Sequence, residues 1–320
     1  MARPIFIFSL PRAGSTLLQR LLMADGRCAS VGEPSFLLRL LGEDDVIQRR
    51  ATFCEGLIQY AKDDMRKAWP GFDDTYRAGV RSLALSIYEG LANGKEWFLD
   101  KTPRYHLIAD EIIRTFPDAR FIVLWRHPLA VAASLSSTFR HGDWCMDEFG
   151  IDLHAGMDRL LHLRHTYPDR ICQVRYEDLV TEPERELEKI GRYLEWENLG
   201  QSLKRDLITN NNGRLGDPTG IHKYKDISPA SRDAWQSAYN NWHRILWARR
   251  YFSGARVSHF QSLGYELPVN LGAGQIRPFT GLRERIQSVL RRRRKITHPV
   301  AYPRMNRTFF KRHGYHVNFT

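Results

Sequence analysis

The residues of this sequence best suited to chemistry are Arg12, Gly14, Ser15 and Thr16, which stand between an apolar run and a helical pattern. The run Ile5–Phe8 predicts a buried strand, and leucines at helical spacing follow the turn. Unpaired N–H groups and the dipole at a helix start attract anionic oxygens, and the nearby arginine adds a positive charge. The turn therefore predicts a site for a phosphate-like group.

This turn differs from the P-loop of nucleotide triphosphatases. That loop ends in Gly-Lys-Ser/Thr, and its lysine reaches the β- and γ-phosphates. Here Gly14 is followed directly by Ser15, and the cation, Arg12, stands two residues before the glycine. The sequence therefore predicts phosphate binding without the usual triphosphate contact. The alternative is an ordinary strand-to-helix turn that Ser15 caps.

Polar residues end several apolar runs along the chain. Strands are predicted at Ile5–Ser9, Trp97–Asp100, Arg120–Trp125 and Ile171–Val174. Helices are predicted at about 15–25, 46–67, 75–92, 104–116, 128–138, 154–167, 183–195 and 230–252. Alternating strands and helices favour a three-layer α/β fold of the P-loop type, with a parallel sheet covered on both faces. Arg12, Lys101, Arg126 and Tyr176 would then meet at the carboxyl ends of the strands, where such sheets bind ligands.

Composition narrows the class of protein. The chain has 320 residues, of which 42% are hydrophobic, and no run of about 18 apolar residues predicts a membrane span. The first strand follows the start so closely that we expect no leader peptide and a cytoplasmic location. The four cysteines are scattered, which predicts neither a disulfide framework nor a metal site.

The positive charge is concentrated near the end of the sequence. Residues 277–320 carry 12 Lys and Arg side chains against one acid, Glu284, so they hold +11 of the formal net charge of +12. We therefore predict a catalytic domain at 1–265, a basic helical extension at 266–320 and no nucleic-acid partner. An apolar stripe beside the basic residues suits an anionic membrane surface or an anionic acceptor. A solvated basic helix packed through its stripe is the alternative.

The segment 11–22, PRAGSTLLQRLL, resembles the 5'-phosphosulfate-binding loop of sulfotransferases that use 3'-phosphoadenylyl sulfate (PAPS). It is most similar to the tyrosylprotein and heparan-sulfate branches of that family. The resemblance implies that Arg12 and the backbone of the loop residues hold the phosphosulfate end of PAPS. Those loop residues are Ala13, Gly14, Ser15, Thr16 and Leu17.

Two further motifs resemble the same family. Asp100–Tyr105 is similar to a segment whose lysine touches the transferring sulfonate, and this assigns Lys101 to stabilise the leaving oxygen. The segment from Phe121 to Ser134 resembles the 3'-phosphate site, Arg-(x)7-Ser, and this assigns Arg126 and Ser134 to that phosphate. The tyrosylprotein branch has another arginine four residues later; here Thr138 stands there, and whether Arg140 replaces it is open.

Later segments extend the resemblance to about residue 250. Tyr176, in VRYEDL, matches a tyrosine that approaches the nucleotide. Lys223 and Lys225 lie in GDPTGIHKYKDIS, which is similar to a loop covering the nucleotide in bacterial members. One of the two lysines is expected at the 3'-phosphate, and the sequence does not decide which. A charged surface loop is the alternative for each.

The resemblance also implies a general base. Glu33, in Gly-Glu-Pro, lies 21 residues after Arg12, as in the tyrosylprotein branch, and would take the proton of an acceptor hydroxyl. Capping of the helix predicted at 35–41 is its alternative role. The histidine base of the small cytosolic sulfotransferases has no counterpart, because Pro103 occupies its place. His106 is a weak substitute, expected at the surface.

Together these resemblances imply a metal-free sulfotransferase that moves a sulfonate from PAPS to a hydroxyl of a carbohydrate, a phenol or tyrosine, or a lipid alcohol. One rival is a P-loop kinase using Mg-ATP, with Asp100 orienting the metal. Another is a nucleotide-sensing or membrane-recruited binding module. Residues 42–95 and 140–152, including Trp144 and Phe149, are the predicted walls of the acceptor site.

Overall fold

The computed structural model describes residues 1–42, 55–200, 232–271, 281–282 and 284–286, and only the backbone of residues 55–60. These residues divide into two compact units. The first contains residues 1–125 and resumes at residue 155. The second contains residues 126–154 and resumes at residue 228.

The first unit is built on a parallel sheet. Its strands are β1 (Arg3–Ser9), β2 (Cys28–Ser30), β3 (Trp97–Lys101), β4 (Arg120–Trp125) and β5 (Ile171–Arg175). Their order across the sheet is β2-β3-β1-β4-β5. Ile7 of β1 lies beside Lys101 of β3, and Ser9 of β1 lies beside Leu124 of β4. The carboxyl ends of the three central strands therefore share one edge.

Helices occupy both units. In the described residues the α-helices are α1 (Ser15–Ala24), α2 (Leu37–Leu41), α3 (Glu55–Ala68), α4 (Phe72–Ala92), α5 (Ala109–Thr115), α6 (Pro128–Arg140), α7 (Met157–Thr166), α8 (Tyr176–Thr181), α9 (Pro183–Leu194), α10 (Trp242–Tyr251) and α11 (Arg256–Ser262). The short elements β2, α8 and α11 were not predicted. The predicted helix 104–116 is a 3-10 turn at Pro103–Leu107 followed by α5. Part of the predicted helix 46–67 lies outside the described residues.

The two faces of the sheet are packed differently. Ile5 and Ile7 join an aliphatic cluster that includes leucines of α1 and α9. The alternate residues of β1 face the other side, where the Phe6 ring centroid lies 5.1 Å from that of Phe116 and 6.2 Å from that of Tyr88 on α4. This alternation follows from the two-residue period of a strand. Helices therefore cover both faces, and the predicted three-layer α/β fold is confirmed.

The second unit corrects the prediction of one helix at 230–252. A 3-10 turn at Ala234–Ala238 is followed by the separate helix α10. The break arises at Asn241, whose backbone is extended and whose side-chain oxygen accepts the N–H of Arg244 at 3.1 Å. Asparagine is a good N-cap, so it starts a new helix there. Trp235 and Tyr239 are buried, so these two aromatic residues pack in the core.

Glu284, the one acid of residues 277–320, contacts α10 and its N-cap. Glu284 accepts hydrogen bonds from Arg244 Nε at 3.1 Å and from Asn241 Nδ2 at 3.3 Å. Leu282 and Ile286, two members of the predicted apolar stripe, are 53% and 50% exposed. The other two residues of the stripe, Phe279 and Val289, lie outside the described residues, so packing through the stripe stays an alternative. Within the described part of the chain, no helix combines the length and hydrophobicity needed to span a membrane.

Candidate functional site

Residues 10–14 connect β1 to α1 in a tight turn. The Ala13 N–H donates to the Leu10 carbonyl at 3.2 Å, and Arg12 and Gly14 have left-handed backbones with φ of 68° and 98°. Gly14 is the N-cap of α1, and glycine has no side-chain oxygen to offer the first-turn N–H groups. Ser15 is the first residue of the helix, so the alternative of a turn capped by Ser15 is wrong.

Tyr176, the first residue of α8, packs against this turn. A Cβ atom added to Gly14 would lie 2.4 Å from Cδ2 of the Tyr176 ring, which is closer than any real contact. The left-handed φ of Gly14 also disfavours a side chain. Glycine is therefore required here for two reasons. The contact places Tyr176, which is 3% exposed, directly beside the predicted anion site.

Lys101 and Glu33 form an ion pair near the carboxyl end of β3. Lys101 Nζ lies 2.9 Å from Glu33 Oε1, and the two side chains are 1% and 23% exposed. Lys101 is thus not a solvated lysine. Glu33 does not cap α2, whose N-cap is Phe36. The pair brings together the two residues that the sequence assigned to the leaving oxygen and to the acceptor proton.

Asp100 is the centre of a buried hydrogen-bond network. Its Oδ2 accepts the hydroxyls of Tyr88 at 2.6 Å and Tyr105 at 3.1 Å, and its Oδ1 accepts the Thr102 hydroxyl at 3.3 Å. Complete burial raises the pKa of the Asp100 carboxyl to about 6, although these hydrogen bonds oppose the rise. Both carboxyl oxygens are engaged inside the protein. Asp100 is therefore unsuited to orient a Mg²⁺ ion, as the kinase alternative requires.

The predicted 3'-phosphate residues belong to the second unit. Arg126 directly follows β4, and Ser134 lies in α6, two turns after its start, as predicted. His127 caps α6: its Nδ1 accepts the Leu129 N–H at 3.2 Å, and its ring stacks on Trp235 with centroids 4.5 Å apart. These contacts hold the backbone next to Arg126.

Other residues named in the sequence analysis are Arg140, His106, Trp144 and the two lysines Lys223 and Lys225. Arg140 forms an ion pair with Glu148, so its guanidinium is engaged there. His106 is buried, not at the surface, and a Cβ on Gly156 would lie 2.8 Å from its ring. Trp144 is 3% exposed and packs edge-on against Tyr239, and its role in an acceptor wall stays a prediction. Lys223 and Lys225 lie outside the described residues.

The chemistry of the first-unit residues suits a phosphosulfate group. A helix start with a glycine cap offers N–H donors, and Arg12 and Lys101 supply positive charge. The carboxylate of Glu33 is partly exposed and is held by a cation, so it retains an oxygen for a proton from a hydroxyl group. This donor set matches an anionic group-transfer substrate.

Comparison with known proteins agrees with this chemistry. Residues 4–199 match the model of the family described as the sulfotransferase family. This chain belongs to the sulfotransferase family.

Relatives of the chain are longer proteins. The nodulation protein NoeE of Sinorhizobium fredii is 35% identical over 136 residues, which are 42% of this chain and 31% of NoeE. An uncharacterised protein of Aquifex aeolicus is 26% identical over 212 residues, which are 61% of this chain and 26% of that protein. The chain therefore spans about a third or less of the length of these relatives.

Solved sulfotransferase domains have the same fold. The sulfotransferase domain of the curacin biosynthetic pathway superposes with a TM-score of 0.55 at 21% identity, over 84% of this chain and 99% of that domain. The sulfotransferase domain of a Synechococcus olefin synthase gives a TM-score of 0.53 at 25% identity, over 83% of this chain and 96% of that domain.

Sequence reasoning missed the buried residues that support the Lys101–Glu33 pair through hydrogen bonds. Tyr88 was only part of a predicted helix, and Asp100 was named as the start of a family motif and as a candidate metal ligand. Gln19 and Thr102 were not singled out at all. One signal was available: Gln19 stands among leucines on the buried side of α1, where a polar side chain needs hydrogen-bond partners.

Proposed function

We propose that this protein transfers a sulfonate group from PAPS to the hydroxyl of an acceptor, within a catalytic domain formed by residues 1–265. Family membership supports sulfonate transfer, and the proposal adds the donor, the acceptor class and the residues. The observation that carries it is the 2.9 Å ion pair between Lys101 and Glu33, in the same unit as the β1–α1 turn. A cation for the leaving group and a base for the acceptor are the two groups that this transfer needs.

The donor is proposed to bind with its phosphosulfate at the β1–α1 turn. Arg12 would hold the anionic oxygens together with the N–H groups of residues 13–17, which include the loop residues Ala13, Gly14, Ser15, Thr16 and Leu17. Lys101 would interact with the oxygen that bridges sulfur and phosphorus. As the S–O bond breaks, negative charge grows on that oxygen, so a fixed ammonium group stabilises the transition state more than the ground state.

Glu33 is proposed as the general base. The acceptor oxygen attacks sulfur, its proton moves to the Glu33 carboxylate, and the bond between sulfur and the bridging oxygen breaks. The electron pair of that bond stays on the nucleotide, which leaves as adenosine 3',5'-bisphosphate. A transferring sulfonate carries less charge than a phosphoryl group, so arginine and lysine can replace the metal ions that kinases use.

The remaining donor contacts are carried over from the family's motifs. Arg126 and Ser134 are proposed to bind the 3'-phosphate, with Lys223 or Lys225 as a third contact. Tyr176 is proposed to lie against the nucleotide, and its packing on Gly14 supports that role. For the basic residues 277–320, an anionic membrane surface or an anionic acceptor remains the proposed partner.

The proposal is tested with ³⁵S-labelled PAPS and a panel of carbohydrate, phenol and lipid alcohols. We expect metal-independent transfer to at least one class, and tight binding of adenosine 3',5'-bisphosphate in the presence of EDTA. ATP binding that strengthens with Mg²⁺, without transfer of label, would instead support a kinase.

A Glu33→Ala variant tests the proposed base. We expect it to bind adenosine 3',5'-bisphosphate like the wild type and to lose transfer by about 100-fold, which is within the range for general-base catalysis. Glu33→Gln is the matched control for size, and it should be equally slow because an amide does not accept the proton. Normal turnover in either variant would remove Glu33 from the mechanism.

A further inference from the structure

We infer that Gln19 and Thr102 are positioning residues that hold the segment carrying Glu33 from its two sides. The inference rests on the proposed role of Glu33 as the base. The segment 31–35 joins β2 to α2 and has no regular secondary structure, so no strand ladder or helix fixes it. Its position therefore depends on hydrogen bonds from side chains of neighbouring elements.

Gln19 holds the beginning of the segment. It lies on α1, is completely buried, and its Nε2 donates to the Val31 carbonyl at 2.9 Å and to the Gly32 carbonyl at 3.4 Å. The same nitrogen lies 2.6 Å from Ser30 Oγ, and Ser30 in turn donates to the Leu99 carbonyl of β3 at 2.5 Å. The chain just before Glu33 is thereby tied to the helix that starts at the phosphate-binding turn.

Thr102 holds the end of the segment. It is 2% exposed, and its hydroxyl accepts the Ser35 N–H at 3.1 Å. The same hydroxyl donates to Asp100 Oδ1 at 3.3 Å. A hydroxyl has one hydrogen to donate, so its bond to Asp100 turns a lone pair towards the Ser35 N–H. Asp100 thus orients Thr102, and Thr102 holds the chain two residues after Glu33.

The two holding points bracket the base. Between them Glu33 extends its carboxylate to Lys101, whose backbone lies between Asp100 and Thr102. The position of the proposed base is therefore fixed relative to α1 by Gln19 and relative to β3 by Thr102. These are the elements proposed to hold the sulfur end of the donor. In-line transfer is sensitive to displacements of about 1 Å, so looser holding should slow the chemical step more than it weakens donor binding.

The first test compares Thr102→Val with Thr102→Ser in the full chain. Valine keeps the shape but removes the hydroxyl, and serine keeps the hydroxyl. We expect Thr102→Val to lower kcat by about tenfold, with the donor KM and the Kd of adenosine 3',5'-bisphosphate within about twofold of wild type. Thr102→Ser should restore most of kcat. A fall in kcat of the same size in both variants would overturn the inference.

A second pair of variants tests the other side. Gln19→Met keeps an unbranched side chain of similar length but removes the donor, and we expect a similar fall in kcat with little change in donor KM. The matched control is Gln261→Met, at an exposed glutamine of α11, which should leave kcat unchanged. An unchanged kcat in Gln19→Met would remove Gln19 from the inference.

The deciding test repeats Thr102→Val in a Glu33→Ala background. If Thr102 acts by positioning Glu33, removing its hydroxyl should have no further effect once the Glu33 carboxylate is gone. The rate of the double variant should then stay within about twofold of the rate of Glu33→Ala alone. An equal tenfold loss in both backgrounds would mean a general structural defect and would overturn the inference. If Glu33→Ala is inactive while Thr102→Val is normal, the base survives and the positioning role fails. If Glu33→Ala is fully active, the proposed base fails, and the positioning role fails with it.

Discussion

Two carboxylates, Asp100 in the first unit and Glu284 in the second, have opposite surroundings. Asp100 in the first unit accepts hydrogen bonds from three hydroxyl groups, while the neighbouring cation, Lys101, pairs with Glu33 instead. Burial raises the pKa of Asp100 to about 6. Glu284 in the second unit is partly buried, which opposes its ionisation, but hydrogen bonds from His243 and Arg244 outweigh this burial and lower its pKa.

The difference shows what each region does with its cation. In the second unit the arginine neutralises the carboxylate of Glu284, and the result is a structural anchor. In the first unit the buried carboxylate of Asp100 is satisfied by neutral hydroxyls, so the lysine pairs with Glu33 instead. Glu33 is 23% exposed, so this ion pair includes a carboxylate that solvent reaches.

The largest expected effect is the contribution of Asp100 to the pH dependence of the free energy of unfolding. Its pKa is about 6 in the folded protein, against a reference value of 3.8. The folded state therefore binds the proton more tightly, and this contribution to stability is complete below the reference value and is lost as pH rises through 6. The free energy of unfolding of the wild type, relative to Asp100→Asn, should rise by up to about 3 kcal/mol on acidification from pH 7 to 3.5. Urea unfolding at several pH values measures it. A difference independent of pH would contradict the assignment.

Glu284 should respond to pH with the opposite sign. Its pKa is lowered from 4.5, so its stabilisation is present above that value and is lost as pH falls through the lowered pKa. Glu284→Gln should decrease the free energy of unfolding at pH 7 by about 2 kcal/mol, because Arg244 loses its charged partner. The decrease should shrink below pH 4.5. Were it to grow on acidification, the contrast with Asp100 would disappear.

The smallest expected effect on stability comes from an exposed ion pair, which serves as the reference for the Asp100 and Glu284 variants. Lys67 Nζ lies 3.5 Å from Asp64 Oδ1, and both side chains are more than three-quarters exposed. Lys67→Ala should change the free energy of unfolding by less than about 0.5 kcal/mol, since water screens such pairs. A larger change, measured by the same urea titration, would mean that burial does not explain why the Asp100 and Glu284 variants have larger effects than an exposed pair.

The sequence predicted those strands and helices whose residue pattern is local and regular. The apolar runs ending at Ser9 and Trp125 predicted their strands, and the family motifs at residues 11–22 and around Lys101 lie at the carboxyl ends of β1 and β3, as predicted. The prediction failed at 230–252, because the spacing of aromatic residues continues through Asn241 while the backbone does not. The three-residue strand β2 was missed because so short a segment has no period of its own.

The sequence by itself determined the parallel α/β architecture, and it predicted a turn for anionic oxygens and the two residues proposed to stabilise the leaving oxygen and to accept the proton. These follow from the order of residues along the chain, because periodicity and motif spacing are local properties. Only the tertiary structure decided that Lys101 pairs with Glu33 rather than with Asp100, and that Gln19 and Thr102 form hydrogen bonds with the segment that carries Glu33. Such partners are 12 to 68 positions apart in sequence, and they meet only when packing of the sheet and helices removes them from water and makes each buried polar group find a partner.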